Sequence, residues 1–430
     1  MLGSESRAMP EPDLKTLVRQ LAVEAKQASR VLASVSTAKK NAVLRHVAEA
    51  LRGPAVPVVL EANERDLGVA QDLNLSAAMV DRLRLDPKRI ATMASDLEAV
   101  LGLPDPVGRI ESMHELESGI RAGRMSVPLG VIAIIYESRP NVTADAAALC
   151  IKSGNACILR GGKEAFHSSQ ALANLFDAAL LAEDLPRGAV SFIPTTQREA
   201  TLALLGLDDL VDLAIPRGGE SLIRFVTENA RVPVLKHYKG VVHVYVDDSA
   251  DYAKAERIIL NGKVQRPSAC NAAETLLVAR SIAPSFVPRL CAALALQGVQ
   301  IRGCDETHTL YPESKLSPGP EYDTEYTDMI LNVRVVDSFE GGLGHIAAHG
   351  SRHTDVIVTE DYSRAQRFLR EVDASAVMIN ASPRFNDGGQ LGLGAEIGIS
   401  TTKLHAYGPM GLAELCTKKW IVYGDGQIRA

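Results

Sequence analysis

Of the six cysteines in this 430-residue chain, one stands where a thiol could react. Cys270 lies in Arg266-Pro267-Ser268-Ala269-Cys270-Asn271-Ala272, which reads as a polar loop of mostly small residues. A free thiol titrates near about 8.5, so only a few per cent of it is thiolate at neutral pH. A neighbouring cation such as Arg266 would raise that fraction, and the target of such a thiolate is an activated acyl group. Cys150 and Cys157 lie in apolar runs and read as ordinary core residues. A nucleophile of this kind needs a donor for the oxyanion it creates. Asn141, which ends Tyr136-Glu137-Ser138-Arg139-Pro140-Asn141, follows the most apolar run of the chain. Its amide could supply that donor, and losing one typically costs about 3–4 kcal/mol of transition-state stabilisation. It could equally cap a helix starting at Val142, and the two roles compete for one side chain. Arg139 and Arg266 are candidates for holding a substrate carboxylate or phosphate, or else for structural ion pairs.

Two short runs suit a phosphate-bearing cofactor. Arg160-Gly161-Gly162-Lys163 and Arg217-Gly218-Gly219-Glu220 each follow a strand candidate and precede a helix candidate. Glycines permit close backbone approach, a helix N-terminus favours anions, and the cations could meet a phosphate. The stretch from Gly392 to Gly398 resembles the dinucleotide fingerprint, but its spacing is one residue too long, and it reads as a glycine loop. His345, His349 and His353 recur every four residues. Gly350 and Ser351 interrupt that helix, and no carboxylate or cysteine completes the set at a familiar spacing, so no metal is expected.

These groups need a scaffold, and the chain spells one out. The first hundred residues have helical periodicity, with Asp13 as a candidate cap before Leu14, Leu17, Val18 and Leu21. Val131–Tyr136 is a continuous apolar run, as a strand buried on both faces requires. Strand and helix candidates then alternate: 142–152 helix, 156–160 strand, 164–182 helix, 190–193 strand, 197–205 helix, 211–215 strand, 220–229 helix and 232–235 strand. A second alternating series begins near Val241, with Cys270 just ahead of a strand at Glu274–Val278. Such alternation predicts an α/β fold with a doubly wound parallel sheet, whose ligands sit beyond the strand C-termini at a switch point. The chain is also too long for a single core, so two domains are expected.

Composition excludes several classes of function. A net charge of -6 argues against a nucleic-acid footprint. The apolar run at Val131–Tyr136 is far too short to span a bilayer. The N-terminus lacks the apolar core of a signal peptide, and Met9 is an alternative start after an eight-residue leader. Scattered cysteines without a Cys-x-x-Cys pair read as reduced thiols, which predicts a cytoplasmic protein.

Four long segments carry a resemblance. VPLGVIAIIYESRPNVTADAAALCIKSGNACILRGGKEA, KVQRPSACNAAETLLV, HIAAHGSRHTDVIVTED and RFNDGGQLGLGAEIGISTTKLHAYGPMGL occur in that order. They resemble the glutamate-5-semialdehyde dehydrogenase (gamma-glutamyl phosphate reductase) family of the aldehyde dehydrogenase superfamily, from about Leu14 onward. The resemblance implies a cofactor domain over 10–240 with a hairpin excursion at 109–126 and a later segment returning near 356–385. It also implies a catalytic domain over 241–400 and an oligomerisation arm over 401–430. The implied reaction is NADPH-dependent reduction of gamma-glutamyl phosphate in proline biosynthesis, by a homodimer or larger homo-oligomer, with glutamate 5-kinase as a partner. Cys270 would be the nucleophile, and Asn141 with the Cys270 N–H would hold the oxyanion. Arg160 would stand near the adenosine ribose and Lys163 near a 2′-phosphate. Gly218 and Gly219 would lie by the pyrophosphate or nicotinamide, and Glu325 by the nicotinamide ribose. Where hydrolytic relatives carry a general-base glutamate, this chain has Val234-Leu235-Lys236-His237-Tyr238-Lys239-Gly240, with no carboxylate. The competing expectations are a hydrolytic aldehyde dehydrogenase and a cysteine acyltransferase without nicotinamide.

Overall fold

The computed structural model describes residues 11–317 and 319–429. The chain divides into two compact units. One runs through Lys236 and regains Leu393–Gly398 and the chain from Met410 on; the other comprises His237–Gly392 and Ile399–Pro409.

The first unit is built on four parallel strands in the order Val190–Phe192, Ala156–Gly161, Val131–Tyr136, Leu213–Arg217. All six residues of Val131–Tyr136 are buried, as its unbroken apolar run requires. The chain leaves this strand to one side through Ala156–Gly161 and returns on the other at Leu213–Arg217, which makes Val131–Tyr136 the switch point. Register does the positioning: Tyr136 pairs with Gly161 on one side and Arg217 on the other, so the turns after all three strands share one edge. Val232–Leu235, expected as a further strand, contributes one bridge between Val234 and Ala214. Pro233 lacks the N–H a continuing ladder needs.

Among the described residues five helices precede the sheet, from Glu11–Leu32 to Pro87–Gly102. The first begins at Glu11, ahead of Asp13, so Asp13 does not cap it. Ser36 and Asp86 do cap, accepting from the N–H groups of Lys39 and Arg89. A separate antiparallel sheet joins the hairpin Ile110–Glu115 and Arg121–Pro128 to Cys416–Tyr423. Among the described residues no helix is long and apolar enough to cross a membrane.

The second unit holds a seven-stranded parallel sheet. Its order is Lys315–Leu316, Gln300–Gly303, Ile330–Val336, Ala273–Ala279, Val242–Val246, Thr354–Val358, Ala376–Ile379. Its core runs from Val244 through Leu276, Phe286 and Val333 to Phe368. This sheet corrects the expected return of residues 356–385 to the cofactor domain. Val356 pairs with Val244 and with Met378, so both later strands extend the second sheet. The helices Phe339–His349 and Tyr362–Glu371 provide ordinary crossovers that keep each successive strand in the same sheet.

Candidate active site

In the first unit, a cavity of about 400 Å³ opens at the C-terminal ends of the strands. Arg160, Gly161, Gly162 and Lys163 line it, joined by Arg198 and Phe225, which no sequence motif had marked. The Arg198 guanidinium lies 3.9 Å from the Phe225 ring centroid. Lys163 is exposed, whereas Arg160 is buried. The Arg160 guanidinium donates to the carbonyls of Gly161, Thr196 (2.9 Å) and Gln197 (3.4 Å), so it ties loops together. Burial lowers its pKa.

The glycines of both turns have a physical reason that the sequence hid. A β-carbon on Gly162 would fall 2.2 Å from Glu164 Oε1, and one on Gly218 would fall 2.3 Å from Glu137 Oε2. Glu164 accepts from the N–H (2.6 Å) and hydroxyl (2.9 Å) of Ser138, a residue held at φ 43°. Glu137 Oε2 accepts from the Gly219 N–H at 3.0 Å, at the head of the helix Glu220–Asn229. Burial raises the Glu137 carboxyl; Glu164 adds to that rise, while the Gly219 N–H and the nearby Arg139 oppose it. The arrangement of glycine turns, an exposed lysine and a cavity beyond a switch point fits a phosphate-bearing dinucleotide.

Asn141 resolves its two competing roles. It is the first residue inside the helix Asn141–Lys152, whose cap position is Pro140, and no side-chain cap bond forms. Its amide is therefore not held by capping; Nδ2 donates to Asp145 Oδ2 at 3.0 Å, one turn on. Burial, together with Asp96, pushes the Asp145 carboxyl up to about 7, against the pull of Asn141 and Arg217.

In the second unit, Cys270 is partly exposed on a tight turn. The Ala269 N–H donates to the Arg266 carbonyl and the Ala272 N–H to the Ala269 carbonyl. Asn271 anchors the turn from below, donating to the Asn386 carbonyl at 3.0 Å. Gly240 presses directly on the Cys270 backbone, for a β-carbon there would lie 1.9 Å from the Cys270 carbonyl oxygen. His237 and His353 flank the thiol: one nitrogen of each and the Cys270 Sγ all lie within 4.8 Å of one another. Arg266 lies exposed beside this turn, and Arg384 joins it. Arg384 donates to Gln265 at 3.0 Å; burial lowers its pKa, Arg266 lowers it further, and Asp387 and Cys270 raise it.

His353 belongs with Cys270 and not with its periodic partners. The helix Phe339–His349 ends at Gly350, where His345 and His349 stack 4.5 Å apart, and His353 stands just ahead of the strand Thr354–Val358. Glu325 lies near the buried pair Lys263 and Glu274, acting on both electrostatically. Lys263 Nζ sits 2.9 Å from Glu274 Oε2, with the two side chains 0% and 1% exposed. Dry surroundings push the carboxyl up and the ammonium down.

A parallel-sheet unit with a dinucleotide-sized cavity, and a second unit presenting a thiol on a glycine-backed turn, define a class. The chain belongs to the aldehyde dehydrogenase family, whose model matches residues 14–307, and it is an oxidoreductase. Its relatives narrow this further. It is 52% identical over 412 residues to the gamma-glutamyl phosphate reductase of Geobacter metallireducens, covering 96% of this chain and 98% of that protein. It is 53% identical to that of Salinibacter ruber, covering 96% and 94%. The crystal structure of the Thermotoga maritima gamma-glutamyl phosphate reductase matches with a TM-score of 0.94 at 43% identity, covering 96% of this chain and all of that one.

Proposed function

We propose that the protein reduces gamma-glutamyl phosphate to glutamate 5-semialdehyde and phosphate, through a thioester on Cys270, in proline biosynthesis. The observation that carries this reading is the Cys270 turn. A partly exposed thiol is backed by Gly240, flanked by two imidazoles and accompanied by Arg266 and Arg384. Guanidinium groups suit a phosphate leaving group.

The chain's residues divide the work. The Cys270 proton passes to a flanking imidazole, and Sγ bonds to the γ-carbonyl carbon. The developing oxyanion takes the Cys270 N–H and the Asn141 amide as donors. The carbonyl re-forms as the carbon–oxygen bond to phosphate breaks, leaving the thioester. Bound NADPH supplies the hydride that reduces this thioester. Collapse frees the aldehyde and returns the thiolate. Lys163, exposed at the cavity, would meet the 2′-phosphate that distinguishes NADPH from NADH; Gly161 and Gly162 line the same cavity. Glu325 would serve as the contact to the nicotinamide ribose.

The decisive assay runs in reverse, with NADP⁺ and glutamate 5-semialdehyde, following NADPH. Formation that requires inorganic phosphate is expected. Equal formation without phosphate would make water the acceptor and the enzyme a hydrolytic dehydrogenase. The antiparallel sheet supports self-association: Trp420 and Val422, two residues apart on Cys416–Tyr423 and so on one face, are 60% and 59% exposed. Light scattering should therefore give a mass of at least two chains, and a monomer would remove this reading.

A further inference from the structure

His237, Cys270 and His353 come from three distant stretches of the second unit, yet the sheet brings them to one edge. His237 precedes the strand Val242–Val246, Cys270 precedes Ala273–Ala279, and His353 precedes Thr354–Val358. These three strands are parallel neighbours, so their leading segments fall side by side. The resulting set of one thiol and two imidazoles has its ligand atoms within 4.8 Å of one another.

Both imidazoles are held from behind. His237 Nδ1 lies 2.8 Å from the Ile399 carbonyl oxygen. A carbonyl can only accept, so Nδ1 carries the proton and the lone pair is on Nε2. His353 Nδ1 lies 2.8 Å from Thr354 Oγ1, which accepts from Asn386 Nδ2 at 2.7 Å. Metal-binding histidines characteristically have the other ring nitrogen engaged in this manner, which fixes ring orientation.

The geometry points to a binding site for a soft divalent cation of the zinc class, formed by Cys270 Sγ, His237 and His353, whose occupation switches the enzyme off. Zinc takes sulfur at about 2.3 Å and nitrogen at about 2.0–2.1 Å in a tetrahedron, so its ligands stand about 3.3–3.7 Å apart. Closing from the present separations needs side-chain movement of about 1 Å. Thiolate and imidazole ligands select zinc-like ions over magnesium or calcium. On binding, the thiol proton leaves to solvent and the sulfur–metal bond forms, with no change of oxidation state. Arg266 and Arg384 oppose a bare cation, which favours an anion such as phosphate in the fourth position. Binding stands on the ligand geometry alone; inhibition rests on the reading of Cys270 as the nucleophile.

The test uses the full-length protein with Zn²⁺ or Co²⁺ alone as probe. One equivalent of Zn²⁺ should bind in equilibrium dialysis, and Co²⁺ should show a thiolate charge-transfer band. Zn²⁺ should slow alkylation of Cys270 by iodoacetamide roughly tenfold or more, while Mg²⁺ does not. His237→Ala and His353→Gln should each weaken Zn²⁺ binding by roughly tenfold or more. Absence of the cobalt band, or alkylation of Cys270 unaffected by bound Zn²⁺, overturns the site. These two measurements use the unaltered chain, so they decide the matter whether or not either variant folds. Unchanged affinity in both folded histidine variants also overturns it, reducing the site to a lone thiol. Turnover that persists with Zn²⁺ bound and Cys270 protected would support the site and instead overturn the catalytic role of Cys270.

Discussion

Gly240→Ala is the sharpest probe of the Cys270 turn, because it alters neither charge nor any proposed reacting group. A β-carbon at residue 240 would lie 1.9 Å from the Cys270 carbonyl oxygen, 2.7 Å from its carbonyl carbon and 2.9 Å from its Cα. Ordinary contact needs about 3.5 Å, so one of the two backbones must retreat by about 1.5 Å. The atoms in the way are backbone, so no rotamer change relieves the clash. A shift of about 1 Å at the reacting atoms costs on the order of a hundredfold in rate. The same shift moves the Cys270 N–H off the oxyanion. Forcing one extra carbon into this contact should also destabilise the second unit by about 1–3 kcal/mol. The assay is phosphate-dependent NADPH formation, paired with NADP⁺ binding and a urea unfolding curve. The expected outcome is kcat lower by about a hundredfold or more, with NADP⁺ affinity unchanged because Gly240 belongs to the other unit. Activity within roughly threefold of the unaltered enzyme would refute the claim that this contact positions the nucleophile.

Three further outcomes follow from the site and its supports. Asn141→Ala should lower kcat by about 10²–10³, as for a lost oxyanion donor, with an unfolding cost of only about 1 kcal/mol, because Asn141 makes no cap bond and gives up a single bond to Asp145; unaltered kcat argues for a purely structural amide. Asp145, raised to about 7, keeps its proton in the folded state across a range where the unfolded chain has lost it. Its contribution to stability is therefore full below about pH 4 and declines as pH rises to about 7. Asp145→Asn should flatten that part of the urea-midpoint profile, and an identical slope in both proteins would contradict the assignment. Lys263→Met strands the buried Glu274 carboxyl and should destabilise by about 3–5 kcal/mol in urea unfolding; a loss below about 1 kcal/mol would mean the pair is not dry.

Much of the scaffold was legible because burial on both faces writes itself into a strand. Val131–Tyr136 is apolar throughout, Ala156–Gly161 and Ala273–Ala279 are apolar apart from Arg160, Glu274 and Thr275, and every residue in the three is buried. Cys270 was legible for the opposite reason: small polar neighbours are a poor setting for a core cysteine, and it is partly exposed. Local pattern misled where a neighbour in space decided. Gly350 and Ser351 set His353 apart from His345 and His349 in the sequence, and the helix does end at His349, but nothing local indicated that His353 joins Cys270. The glycines at 162 and 218 suggested room for phosphate, whereas Glu164 and Glu137 fill the space a side chain would need.

Residue order alone thus specifies which stretches are strands and helices, which cysteine sits among small polar residues outside the apolar runs, and which long segments mark the family. Those properties depend on residues close along the chain, or on patterns that burial imposes strand by strand. Three features emerge only when the chain is folded: the strands Thr354–Val358 and Ala376–Ile379 continue the second sheet, Gly240 backs the Cys270 turn, and two imidazoles separated by more than a hundred residues flank one thiol. Parallel strands order themselves through crossovers whose destination leaves no trace in local periodicity, and it is that order which sets neighbouring loops side by side.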